Sequence, residues 1–451
     1  MEPPPYRGRL GTPPAEGYES GSQGRSVDAS GAEMRILLIT FQFPPERTGN
    51  APLLGELCED LSAAGHEITV LAGQVHHSFR FVPKEYRRGF ISRERRHGAL
   101  VLRVNAPLTA DMWTNKLIGF VVFPTAAVIL GTLMKRRDVI LCPSPPLWLG
   151  FAASLVSFLK RAPYVYVVQD LWPSAPVRLG LWRNRLLIRF FSWMERWVYA
   201  KASHLIVVAE AMRRDVRAAG APNDKITTIE NWVDISFIRP LPKDNEFRRL
   251  VAPDGESVVL YSGNMGHSHA IDVVIEAARL LSHRPGLKFV LVGEGTQKPR
   301  LEETARELGL RNVLFLPLQP RSRLAEVMAA ADISLVPLRR GLSVASLPSK
   351  IYTIMASGRP LVATLDRGEA AWQLVEKARC GLLVEPEDPQ ALASAIDRLL
   401  SEPSLGRELG ENGRRYAEGF CSRQSSTRAY ETVLRRAALG LVCSTQRKAV
   451  R

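Results

Sequence analysis

The chain is poor in cysteine. Its 451 residues contain five, Cys58, Cys142, Cys380, Cys421 and Cys443, and no two of them form a CxxC pair. That argues against a zinc site and a disulfide framework and fits a reducing cytoplasm. Residues 1–33 lack the apolar run of a secretion signal. Rich in Pro, Gly, Ser and charge, they read as a disordered tail. No glycine loop has the GxGxxG spacing, so a nicotinamide-dinucleotide site is unsupported. No Asp-x-Asp follows a strand pattern, so nothing calls for a metal, and no cofactor is expected. Acidic residues are also short relative to basic ones, 45 against 60, for a net charge of +15. This balance points to an anionic partner. The basic residues are scattered in short groups, such as Arg87-Arg88, Arg93 to Arg96, Lys135-Arg136-Arg137 and Arg339-Arg340. Nucleic-acid binding wants them gathered with exposed aromatics on one face, so no nucleic-acid partner is expected.

What is present is one pattern used twice. Arg35 to Gly73 reads as a buried strand (Ile36–Thr40), a loop containing Gly49, an amphipathic helix (about 52–63), a stop at Gly65 and a second strand (Ile68–Leu71). Ser257 to Gly295 repeats the order: strand Val258–Tyr261, loop Ser262–His269, helix Ile271–Leu281, strand Lys288–Val292. Continuous apolar strands joined by helices predict parallel sheets covered on both faces. The fold class is therefore α/β, with two Rossmann-like domains facing each other across a cleft. The expected division is an N-terminal domain over 34–237, a polar, Pro-bearing linker over 238–256 and a C-terminal domain over 257–410. A helix over 411–436 is expected to pack back toward the N-terminal domain, ahead of a basic tail over 437–451. In such sheets ligands lie outside the C-terminal strand ends, where loops meet helix N-termini.

One such helix is readable in "SLPSKIYTIMASGRPLVAT", Ser346 to Thr364. Ile351, Ile354 and Met355 have helical spacing, Gly358 and Pro360 end the helix, and Leu361-Val-Ala reads as a strand. Free N–H groups and partial positive charge at the helix start suit an anionic group, and Lys350 adds a full charge. Pro348 and Ser349 are also an ordinary way to begin a helix.

The order of segments resembles the family 4 retaining glycosyltransferases of the GT-B fold, and within them the bacterial colanic-acid and N-acetyl-fucosamine transferase-like branch. The resemblance is carried by "FPPERTGNAP", "AAGHEITVLAG", "VVQDLWPSAPVRLGL", "IENWVD", "YSGNMGHSHAID", "LVGEGTQKPRLEE", "NVLFLPLQPRSRLAEVMAAADISLVPL" and "SLPSKIYTIMASGRP", over about Met34 to residue 436. It implies a nucleotide-sugar donor, a UDP-sugar, as a substrate on the C-terminal domain. Its diphosphate would lie at the helix after Ser346, held by Lys350 and by hydrogen bonds from Ser346 and Ser349. Glu294 would border the nucleotide, and the loop Leu316 to Pro320, with Leu318, would frame the base through backbone groups. Gly49 on one side, and Gly263, Asn264 and Gly266 on the other, would approach the diphosphate and sugar. The acceptor side would use Gln169, Asp170 and Trp172, the last by stacking on a sugar face. Lys350 and Asp170 are the candidate catalytic residues. For Asp170 the competing role is a helix N-cap, and for Glu294 an exposed turn carboxylate. His66 reads as structural, and His76 and His77 lie near the acceptor only if their loop does.

The departures are as informative. The family's glutamate pair falls on Ala345 and Thr353, and its Arg and Lys pair falls in His267-Ser-His269-Ala. Phosphate charge must then be met by Lys350, with Arg47 and Arg339 as further candidates. Retaining, metal-independent transfer of a hexosyl or N-acetylhexosaminyl group would rest on electrostatic stabilisation of the leaving diphosphate. Three apolar stretches, Lys116 to Arg137, Leu147 to Arg161 and Leu181 to Lys201, are read as helices that pack on the sheet and dip into a membrane interface between basic flanks. This suits a lipid-linked, undecaprenyl-diphosphate-type or glycan acceptor and a peripheral position on the cytoplasmic face of the cell membrane. The rivals are a sugar-nucleotide epimerase and a membrane-docked, non-catalytic scaffold of the same fold.

Overall fold

The computed structural model describes residues 33–46, 49–75, 86, 89–105, 112–178, 180, 182–342 and 347–440. Arg47, His76, His77, Ser346, the segment 1–32 and the tail 441–451 lie outside the described residues.

The first lobe is an eight-stranded sheet. Its strands are β1 (Arg35–Thr40), β2 (Glu67–Ala72), β3 (Ile91–Arg96), β4 (Ala99–Val104), β5 (Val139–Pro143), β6 (Tyr164–Val168), β7 (His204–Val207) and β8 (Ile226–Thr228), in the order β3-β4-β2-β1-β5-β6-β7-β8. All pairings are parallel except β3 with β4. β1 and β2 run in register from Arg35 opposite Glu67 to Thr40 opposite Ala72. Their apolar residues are buried on both faces, which is why they read as unbroken hydrophobic runs. The basic run Arg93 to Arg96 lies on β3, the edge strand, where charge discourages pairing with another sheet.

The helices of this lobe are α1 (Ala51–Ala63), α2 (Met112–Leu133), α3 (Leu147–Lys160), α4 (Ser174–Arg178), α5 (Arg185–Lys201) and α6 (Glu210–Ala218). α3 packs between α2 and α5. Among the described residues no helix is long and apolar enough to cross a membrane, and α2 is interrupted by Pro124. Large apolar side chains nevertheless face outward: Val121, Ile129 and Leu133 on α2, Phe158 and Leu159 on α3, and Leu186, Phe190 and Trp193 on α5.

The second lobe is a six-stranded, wholly parallel sheet of β9 (Ser257–Ser262), β10 (Leu287–Val292), β11 (Val313–Leu316), β12 (Ile333–Pro337), β13 (Leu361–Thr364) and β14 (Gly381–Val384), in the order β11-β10-β9-β12-β13-β14. Its helices are α7 (Glu246–Val251), α8 (Ile271–Leu280), α9 (Lys298–Glu307), α10 (Leu324–Ala329), α11 (Lys350–Ser357), α12 (Ala370–Ala378), α13 (Pro389–Ser401) and α14 (Pro403–Phe420), and a last helix, α15 (Arg423–Ala438), follows them in the chain.

Two sequence expectations need correction. The segment 238–256 is not a bare linker. Asn245 caps α7 by accepting the Arg248 N–H, Phe247 is fully buried, and Arg248 donates to Asp332 and to the Ala330 carbonyl. These bonds fasten α7 to the second lobe. The expected helix 411–436 is two helices. α14 stays on the second lobe, packed against α11, and the chain turns at Cys421-Ser422. There Ser422 forms a parallel bridge with Val233 and caps α15 by accepting the Ser425 N–H. α15 then lies on α1 of the first lobe, held by Arg423 to Asp60 at 2.6 Å and to Glu59 at 2.8 Å. His66 is structural: its Nδ1 accepts the Met34 N–H.

Further ion pairs link the lobes, and two of them show how the sheets are oriented. Glu56 on α1, which follows β1, meets Arg321, which follows β11, at 2.5 Å. Arg178 on α4, which follows β6, lies 3.8 Å from Glu369 at the start of α12, which follows β13. Both pairs join segments that leave the C-terminal ends of strands, so those edges of the two sheets face each other.

Candidate active site

In the second sheet the chain steps from β9 to β10 and β11 on one side, then returns to β12 on the other. The crevice therefore opens between the C-terminal ends of β9 and β12. The glycine loops there are interlocked. A Cβ on Gly293 would overlap the Gly263 carbonyl, and one on Gly295 would overlap the Met265 backbone. Gly263 N–H donates to the Val292 carbonyl and Met265 N–H to the Glu294 carbonyl. Lys350, the first residue of α11, reaches into this place from across the crevice. A Cβ on Gly263 would stand 3.0 Å from its ammonium, and the backbone there has φ +155°. Lys350 donates to the Tyr261 hydroxyl at 3.1 Å and sits 4.2 Å from the centroid of the Tyr261 ring. It has no acidic partner among the described residues, and burial pushes it down to about 7. His269 is pushed down to about 4, first by burial and then by the Lys350 charge, and its buried Nδ1 has no hydrogen-bond partner.

Ser349 is exposed, and its hydroxyl does not cap α11. Asn264 is exposed, with its carbonyl taken by the Tyr261 hydroxyl at 2.6 Å. The Gly266 carbonyl accepts the His269 N–H. Glu294 pairs with Lys298, whose ammonium also closes on the carbonyls of Gly293 and Leu316. Leu318 stands in the exposed loop after β11. Arg339 is engaged by Asp272 and the His267 carbonyl, so it offers little to a phosphate.

The first sheet has its own switch point between β1 and β5. Gly49 has φ +62°, and a Cβ there would strike the Gln42 side chain. Asn50 donates to the Ser144 carbonyl at 3.4 Å, and the Ser144 hydroxyl accepts the Gln169 N–H at 2.9 Å and the Asp170 N–H at 3.5 Å. The Gln169 amide is paired both ways with Asn231, at 3.1 and 3.2 Å. The Asp170 carboxyl has no hydrogen-bond partner among the described residues. It caps no helix, and burial pushes it up to about 7. Trp172 stands edge-on to Trp182 at 5.3 Å, and Trp182 leads on to Phe191, so Trp172 is built into an aromatic cluster.

The two halves match two family models, "Glycosyl transferase 4-like domain" over residues 48–232 and "Glycosyl transferases group 1" over residues 242–416. The chain is 30% identical to a putative colanic acid biosynthesis glycosyl transferase of Escherichia coli, over 84% of this chain and 96% of that one. The chain is a family 4 glycosyltransferase of the GT-B fold. Solved structures agree on the fold. Sucrose-phosphate synthase of Thermosynechococcus elongatus superposes with a TM-score of 0.70 at 19% identity, over 90% of this chain and 99% of that one. HepE of Anabaena, in complex with UDP, gives 0.66 at 18%, over 89% and 99%.

In this glycosyltransferase Lys350 and the Gly263 loop, both named from the sequence, meet in the second lobe, and three side chains not singled out in the sequence organise the two crevices. Tyr261 reads as one more strand residue, because it stands in an apolar run. Ser144 reads as a loop residue beside prolines. Asn231 carries no signal until Gln169 is seen against it. Thr353, at one of the positions where the family's glutamates are expected, lies in α11.

Proposed function

We propose that this glycosyltransferase moves a hexosyl or N-acetylhexosaminyl group, with retention, from a UDP-sugar to a lipid-linked, undecaprenyl-diphosphate-type or glycan acceptor in bacterial cell-surface polysaccharide assembly. The observation that carries the reading is Lys350. It is a part-buried ammonium with no carboxylate partner among the described residues, set at the start of a helix, at the crevice of a parallel sheet and against a glycine with φ +155°. Such a cation suits an anionic ligand, and the UDP complex of the similar Anabaena fold supports a nucleoside diphosphate.

The acceptor oxygen bonds to the sugar's anomeric carbon while the bond from that carbon to the phosphate oxygen breaks. The acceptor proton passes to the departing diphosphate. Lys350, the α11 N-terminus and the loop amides after β9 stabilise the charge that builds there, and no metal is needed for this. Preorganised donors of this kind contribute about 3–4 kcal/mol each. Asp170, unpartnered at the end of β6, orients the acceptor hydroxyl, with Gln169 and Trp172 beside it.

On this reading the acceptor lies at the cytoplasmic membrane face, which the chemistry of the outer helices supports. The outward apolar residues of α5 alternate with exposed Arg185, Arg189 and Arg196, and the only carboxylate on α2, α3 and α5, Glu195, is buried. An apolar face ringed by arginine matches an anionic bilayer surface.

The test is incubation of the protein and bacterial membranes with radiolabelled UDP-, GDP- and dTDP-sugars. Label should pass from a UDP-sugar into the lipid or glycan fraction and stop with Lys350→Ala. Transfer that survives that substitution would refute the reading. A protein that keeps its cellular role without any transfer would support the scaffold instead.

A further inference from the structure

We propose that Tyr261 is a positioning residue that delivers Lys350 to the donor diphosphate and joins it to the glycine loop as one rigid cradle. The inference rests on the reading of Lys350 as a diphosphate ligand.

Tyr261 is the penultimate residue of β9, and it is completely buried. A phenol has one proton to give. Here that proton goes to the Asn264 carbonyl, at 2.6 Å. The oxygen then has only lone pairs left for Lys350, so the ammonium at 3.1 Å must be the donor. The same ammonium lies over the ring at 4.2 Å, a cation–π distance. One side chain thus fixes both the height of the cation above the sheet and the carbonyl of the loop beside it.

The glycine side is close-packed. A Cβ at Gly263 would come within 3.0 Å of the ammonium and 3.4 Å of the phenol oxygen. The remaining N–H groups of Lys350 have no protein partner among the described residues. Around it the ionisable neighbours are Tyr261 from β9 and His269 from the following loop. Arg339 is turned to Asp272. The hydroxyl is therefore the one anchor that keeps this flexible side chain in place before a ligand arrives.

The experiment is a double-mutant cycle on UDP affinity in the full chain, with Tyr261→Phe, Lys350→Met and the pair, each checked by thermal melting. Tyr261→Phe alone should weaken UDP binding roughly tenfold, the lower range for losing a hydrogen bond to a charged group. In the Lys350→Met background it should cost less than about twofold, because it acts through the lysine. Equal losses in both backgrounds would make Tyr261 a fold residue only and overturn the proposal.

The pH profile gives a second readout. Removing the oxygen removes a partner of the charged form, so the alkaline loss of UDP binding should begin at lower pH in Tyr261→Phe. A loss of the same size at every pH counts against it. Should the phenylalanine variant fail to fold, NMR of wild-type Lys350 after 13C-dimethylation decides. Methyl resonances without the upfield ring-current shift of a group held 4.2 Å from the centroid of the Tyr261 ring would refute a lysine held on Tyr261. If Lys350→Met leaves UDP affinity untouched, the underlying reading fails instead, and the cycle distinguishes the two cases.

Discussion

Replacing Lys350 by methionine should stabilise the protein while removing its activity. Taking the lysine from its ordinary 10.5 to about 7, at 1.36 kcal/mol for each tenfold change in the proton equilibrium, amounts to an upper bound of about 5 kcal/mol of folding free energy lost to burying the charge, of which about 4 is felt at pH 7, where the folded lysine is half-titrated. The contact with Tyr261 offsets part of this, by about 1 kcal/mol for the ring and a similar amount for the hydroxyl. Methionine has a similar length and no charge to desolvate, so a net gain of about 2 kcal/mol is expected at pH 7. The sign depends on pH. A lysine depressed in the folded state costs stability in full below its folded value and not at all above its unfolded one. The gain should therefore be largest near pH 6.5 and fade as pH approaches 10. Urea unfolding of the full chain at pH 6.5, 8 and 9.5 reads it directly. A methionine variant less stable than wild type at pH 6.5, or a difference that does not shrink with pH, would refute the burial argument. Over the same substitution the rate of sugar transfer should fall by about 10²–10³.

Arg423→Ala should free α15 from α1. Its guanidinium holds Asp60 and Glu59 and is largely buried, so a loss of about 2 kcal/mol is expected, seen as faster hydrogen exchange confined to residues 423–438. Gly293→Ala should cost more than about 3 kcal/mol or prevent folding, since its Cβ overlaps the Gly263 carbonyl. Gly309→Ala, at a left-handed φ of +66° with open space around it, should cost about 1 kcal/mol, and denaturant midpoints compare the two. If Asp170 must be ionised, kcat/KM should rise with pH through about 7, and Asp170→Asn should abolish that limb along with most of the activity. Sedimentation with phosphatidylglycerol vesicles should capture the wild type and release it at high salt. Glutamate at Arg185, Arg189 and Arg196 together should abolish capture.

The repeated strand–helix–strand halves were legible because their strands are buried on both faces and are mostly apolar, with the charged residues, Arg35, Glu67 and Lys288, at or next to the strand starts. The break between α14 and α15 was not. Both helices are amphipathic and no proline or glycine separates them at Cys421-Ser422; the turn is imposed by pairing with Val233, far away in sequence. α7 was hidden for a different reason. It is six residues long and half charged, and only Phe247 and Val251 turn inward. At the site, spacing placed Lys350 and Gly263 correctly on their elements, but no sequence argument brings a helix start against a strand end that precedes it by some ninety positions. Trp172 shows the converse. An aromatic beside Asp170 suggested a sugar platform, and its ring is packed edge-on to Trp182.

The bridge at Val233 and Ser422 has a mechanical consequence. Val233 N–H donates to the Cys421 carbonyl and the Arg423 N–H donates to the Val233 carbonyl, so the outgoing and returning crossings between the lobes run side by side as a two-stranded ribbon. A single thread would let the lobes swing and twist in any direction. A paired ribbon bends readily about one line and resists torsion, which turns opening and shutting into a repeatable stroke along a fixed path. Cutting the chain before α15 would take that guidance away, along with the Tyr430, Val433 and Leu434 side chains that α15 buries on the first lobe.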